Sequence, residues 1–148
     1  MKRLFVLALS IIVSSCSLDN DTPNTYYELA EIVGNDLPEE LVFGETYNVE
    51  VDYLLPSECN IFQALDARRG GNTPNERRDI YISVVTSVVT NDGCDPDIPG
   101  GAGSSKFSIT IDQNEPYTFY FWTGVSGTDP VYNEVIIPVV ESETPTES

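Results

Sequence analysis

"TYNVEVDYLL", Thr46 to Leu55, decides the fold. Tyr47, Val49, Val51 and Tyr53 alternate with Asn48, Glu50 and Asp52, a period of two that puts one face of an extended strand in a core and the other in water. "GE" before it and "PSE" after it supply the turns. Phe107, Ile109 and Ile111 repeat the pattern in "KFSITID", against Ser108, Thr110 and Asp112.

Working outward, "PYTFYFWTG" and "VYNEVIIPVV" are rich in β-branched and aromatic residues, with Pro138 pointing to an edge position. "RRDIYISVVTSVVT" is a long β-branched run without a helical stripe of charge. "CNIFQALDAR" is shorter and compatible with either element, and "YYELAEIVGN", a first strand or a short helix, is read as a strand. The expectation is an all-β chain of about seven strands, with Gly, Pro, Asn and Asp punctuating the gaps. There is no internal repeat.

The N-terminus is organised differently. Lys2 and Arg3 precede "LFVLALSIIV" (Leu4 to Val13), which is apolar apart from Ser10, and Ser14, Ser15 and Cys16 follow. An apolar run of about ten residues suits a secretory signal and is well short of the ~20 needed to span a bilayer. Asp19 and Asp21 close it. "VSSC" (Val13 to Cys16) resembles the lipobox of bacterial lipoproteins: an aliphatic residue, two small residues, then the cysteine. The resemblance covers the first 16 residues and implies cleavage before Cys16, a diacylglyceryl group on its sulfur, and acylation of its new amine. With roughly 0.8 kcal/mol per buried methylene, two or three such chains would hold the protein permanently on a membrane. In that family Asp after the cysteine signals inner-membrane retention. Ser17 stands there, which directs the expectation to the outer membrane, and Asp19 and Asp21 resemble surface-export signals. The division expected is a signal peptide over 1–15, lipidated Cys16 and a polar tether over 16–25, one β-sandwich domain over 26–140, and a disordered tail over 141–148.

The sandwich pattern resembles the immunoglobulin-like antiparallel β-sandwich. That family places a Trp between its two cysteines, whereas Trp122 follows both Cys59 and Cys94. A jelly roll or another small sandwich therefore stays open. If Cys16 carries lipid, Cys59 and Cys94 have one pairing between them, and outside the cytoplasm they should be oxidised. The bond should tie the strand start at "SEC" to the loop at Cys94. Closing a loop of roughly 36 residues contributes ~3–4 kcal/mol on the chain-entropy treatment.

Charge narrows the partners. The whole chain carries −17, and loss of Lys2 and Arg3 with the signal makes the mature chain more acidic still. Such a surface repels nucleic-acid phosphates and favours basic partners or cations, or serves solubility alone. Arg68, Arg69, Arg77 and Arg78 flank one turn, "RRGGNTPNERR", and form a candidate anion site because guanidinium forks match carboxylate or phosphate; intramolecular pairing with the many acids is the competing account. Strand alternation puts Phe119 and Phe121 on one face and Tyr120 and Trp122 on the other, where the latter pair would make a platform for sugar rings unless another segment covers them. Asp92, Asp95 and Asp97, in the long loop "NDGCDPDIPGGAGSS", offer oxygens to Ca²⁺, but their spacing is not that of an EF-hand, and Asp and Asn also form ordinary turns.

The chain contains no histidine, so a Ser-His-Asp triad and a Cys-His dyad are excluded, and "GVSG" falls short of G-x-S-x-G. Two carboxylates could serve a small glycosidase, although nothing selects a pair from 24 acids. The expectation is a lipid-anchored, non-catalytic binding, adhesion or accessory module of the bacterial envelope, needing no cofactor beyond the lipid on Cys16. Its partners would be the membrane and a glycan or protein ligand; a carbohydrate-binding surface module is the first alternative.

Overall fold

The computed structural model describes residues 25–89 and 93–141. Cys16, the signal and nearly all of the tether, Asp92, and residues 142–148 of the tail lie outside them. The described chain forms β1 (Thr25–Asn35), β2 (Leu41–Val42), β3 (Thr46–Leu54), β4 (Asn60–Arg69), a 3-10 turn at Glu76–Arg78, β5 (Asp79–Val89), β6 (Ala102–Thr110), β7 (Tyr117–Ser126), β8 (Asp129–Ile137) and β9 (Val139–Val140). It is all-β and sandwich-like, with seven principal strands in one hydrogen-bonded sheet that folds over at β1.

The alternation in β3 becomes burial. Val49, Val51 and Tyr53 enter the core, while Asn48, Glu50 and Asp52 face away. β3 pairs with β6 along its whole length, from Thr46 opposite Thr110 to Leu54 opposite Ala102. This sets Phe107 and Ile109 beside Val49 and Tyr47, and on the outside it brings Lys106 to Glu50 at 3.0 Å. A lysine in mid-strand also discourages another chain from pairing with this edge.

β1 belongs to both layers. Thr25–Ala30 pair antiparallel with Val89–Val84 of β5; Glu31–Asn35 pair with Leu54–Val51 of β3, with a register shift between Ile32 and Gly34. Its inward residues Ala30 and Ile32 sit at the crossover and pack in the common core. β4 covers the opposite edge of β5, from Asn60 opposite Val88 to Arg69 opposite Ile80.

β7 supplies the largest core side chains. Tyr117, Phe119 and Phe121 are buried and run in a stacked row, with centroid spacings of 6.4 Å. Ile80, Ile82 and Val84 of β5 face the same interior. Each such side chain contributes roughly 1.5–3 kcal/mol through burial. β7 returns as β8 through a two-residue loop in which Gly127 has φ +66°, a backbone region that suits the first position of a hairpin turn and disfavours side chains with a Cβ.

Two pairings depart from the antiparallel pattern expected, that of β7 with β5 and that of β9 with β2. β7 runs parallel to β5, Asp79–Ile82 beside Thr118–Phe121. The chain leaves β5, makes β6 in the other layer and re-enters along the N-terminal half of β5, on the edge whose C-terminal half β1 already occupies. Pro138 separates β8 from β9, and its carbonyl accepts the Leu41 amide at 2.9 Å as β9 pairs parallel with β2.

Candidate functional site

The arginines gather on one side of the sandwich but spend themselves on the protein. Arg69 extends inward from β4 and places Nη1 3.1 Å from Asp112 Oδ1, and its Nη2 donates to the Thr110 carbonyl at 2.9 Å. Arg77 pairs with Oδ2 of the same carboxylate. Tyr117, buried beneath Arg69, donates its hydroxyl hydrogen to Asp112 Oδ1 at 2.8 Å and accepts the amides of Asp112 and Gln113. Burial is the largest single influence on Asp112 and pushes its carboxyl up; hydrogen bonds from Arg77 and Tyr117, with the charges of Arg69 and Arg77, outweigh it and hold the group below its ordinary value.

Arg78 donates to the Pro116 carbonyl at 3.1 Å and to Asn75 Oδ1 at 2.7 Å. Arg68 is the outward member, 72% exposed, with Nε 3.9 Å from Asp66. Arg68, Arg69 and Arg77 line a hollow of about 360 Å³ between the edges β4 and β6, floored by Ile80, Phe107 and Ile109. Asp112 stands against Arg69 and Arg77, and Asp66 against Arg68, so little uncompensated positive charge remains for an anion.

The outer face of β7 carries Tyr120 and Trp122, as the alternation predicts, but in separate environments. Tyr120 stacks on Tyr81 with centroids 4.7 Å apart and planes 12° from parallel; Tyr132 meets both rings edge-on at 6.2 and 5.7 Å. Stacking covers one face of Tyr120 and removes it from a shared platform with Trp122. Burial first, then the negative charges of Asp79 and Glu134, raises its phenol.

Cys59 and Cys94 form the disulfide, tying the start of β4 to the β5–β6 loop. The loop is fastened further: Glu58 N donates to the Ile98 carbonyl at 3.0 Å and Leu55 N to that of Gly101 at 2.9 Å. Asp95 Oδ1 accepts the Asp97 amide at 2.9 Å, a turn-forming use of that side chain. Among the described residues no three His, Cys, Asp or Glu groups come together to hold a metal ion.

Trp122 lies elsewhere, half-buried, in a hollow of about 420 Å³. Where β1 leaves β5 for β3, its outward residues Leu29 and Glu31 open a gap; Leu55 and Pro56 after β3 and Pro99 of the disulfide-bound loop close the far side. Glu28 lines it too, held from behind. The amide nitrogen of buried Asn60 donates to Glu28 Oε1 at 2.6 Å and to Thr86 Oγ1 at 2.8 Å, while its oxygen accepts both the amide and the hydroxyl of Ser57. Apart from Trp122, none of these residues stands out in the sequence. The hollow joins four segments distant along the chain, and no local spacing announces it.

Comparison with family models, curated proteins and solved structures finds no match for this chain.

Proposed function

We propose that the chain is a bacterial envelope lipoprotein, anchored by acyl chains on Cys16, whose β-sandwich is a non-catalytic binding or adhesion module held at the outer membrane. The anchor reading is supported by the charged start, short apolar core and "VSSC" in that order. The binding reading is carried by one observation: the single tryptophan of the chain sits in an apolar, acid-lined hollow fixed by buried hydrogen bonds and a disulfide. Among the described residues, hydrogen bonds hold the carboxyls of Asp112 and Glu76 below their ordinary values, the wrong direction for a general acid.

A carbohydrate-binding reading keeps one argument, the part of the Trp122 indole left accessible in its hollow.

The test is fractionation of the full-length protein in a Gram-negative host. The wild type should partition with outer membranes at the mass of an acylated chain beginning at Cys16. Globomycin should block its maturation, and Cys16→Ser should remove lipid and membrane association together. Processing indifferent to both treatments rejects the anchor.

A further inference from the structure

We propose that the hollow at Trp122 receives a basic side chain presented by an extended segment of a partner protein. The proposal rests on reading the domain as a binding module and names the chemistry of its ligand. A lysine has an apolar stem and a compact cationic head. Leu55, Pro56 and Pro99 suit the stem, and Trp122, Glu28 and Glu31 line the same cavity for the head, with one Glu28 oxygen bonded behind to Asn60. Indole is the best aromatic partner for a cation, and apolar surroundings strengthen that attraction.

Charge complementarity selects this ligand over an anion or a neutral ring. No basic residue lines the hollow, whereas the arginines across the molecule already have acids beside them. Two carboxylates at one cavity repel an anion. A neutral sugar would leave both without a counter-charge. The net charge of −17 attracts cations to the whole domain and speeds their encounter. The walls are set before binding. Asn60 fixes Glu28, and Gly100 lies so close to Leu55 that an added Cβ would stand 2.5 Å from Leu55 Cβ. The disulfide anchors the same loop. A cavity already shaped loses less conformational freedom on binding.

Because the chain has one tryptophan, its emission reports this hollow alone. The experiment titrates full-length lipidated protein in neutral detergent, at low salt, with an uncharged-ended Gly-Pro-Lys-Pro-Gly peptide and with its Nζ-acetylated twin. The lysine peptide should produce a saturable change in Trp122 emission, and the acetylated twin should bind about tenfold more weakly, equivalent to about 1.4 kcal/mol. Glu31→Gln, on an exposed strand position, should weaken the lysine peptide several-fold without moving the melting temperature. Equal binding of the two peptides, no saturable response, or a response only to neutral oligosaccharides overturns the proposal, the last in favour of a glycan. A response to oligosaccharides alone keeps the binding-module reading while overturning the basic ligand, and no response to any of the probes counts against both, so the two failures are distinguishable.

Discussion

Arg69 and Asp112 meet at 3.1 Å across the open side of the sandwich, joining the end of β4 to the residue that follows β6 and Ile111. These strands belong to different layers and are not hydrogen-bonded to each other. The ion pair, with Arg77 on the second oxygen and the Tyr117 hydroxyl beneath, therefore fastens a side of the molecule that main-chain bonding leaves open. Asp112→Ala should destabilise by about 1–3 kcal/mol, the range for stranding hydrogen-bonded partners, reduced because the carboxylate is only part-buried. Arg68→Ala removes an exposed guanidinium and should shift the urea midpoint little. Equal losses in the two variants would contradict the network.

The same carboxylate gives a pH signature. Its folded pKa lies below the unfolded value of about 3.9, so its contribution is present above that value and fades as pH falls through the folded pKa. Glu76, lowered by hydrogen bonds from Thr73, adds in the same direction. Relief of self-repulsion in so acidic a chain works oppositely on acidification, so the informative quantity is the difference between wild type and Asp112→Asn. Urea unfolding across the pH range should give a difference that is constant near neutrality and shrinks below about pH 4. A difference that grows in acid refutes the assignment.

Strand identity was legible where one face meets water. The alternation in β3 and β6, and the split of Phe119 and Phe121 from Tyr120 and Trp122, translate directly into burial because side chains alternate about a strand. Pairing direction was not legible, since a parallel and an antiparallel strand have the same period; hence the β5–β7 surprise. The arginine cluster was visible as composition, but its partner was hidden among many acids, and only the fold selects Asp112. The hollow at Trp122 was illegible for a topological reason. It exists because β1 changes partner midway, an event the sequence records only as an ordinary strand with Gly34 near its end.

The disulfide should matter twice. Joining residues 35 apart, it restricts the unfolded chain, and Cys59→Ser with Cys94→Ser should cost ~3–4 kcal/mol on the chain-entropy treatment. For a domain of this size that is a fall of very roughly 10–15 °C in melting temperature. The bond also holds the loop that carries Pro99, so the variant's Trp122 should become more accessible to acrylamide at temperatures where the domain is still folded. Unchanged quenching would detach the disulfide from the hollow.

The two faces of β7 can be tested by adjacent truncations. Phe119 is wholly buried between Tyr117 and Phe121, and Phe119→Ala should cost ~3–5 kcal/mol through lost burial and the cavity left behind. Tyr120 stands on the outer face, where it stacks on Tyr81 and meets Tyr132 edge-on. Tyr120→Ala removes those contacts without opening the core, and aromatic pairs contribute about 0.5–1.5 kcal/mol beyond area, so its loss should be smaller by a factor of two or more. Tyr81→Ala in the same background supplies a double-mutant cycle, and a coupling near 1 kcal/mol is expected if the rings support each other. Additive losses would mean that the stack is a by-product of strand register, in which case Arg68 opposite Tyr81 and Glu134 opposite Tyr120 would be the residues holding that face together.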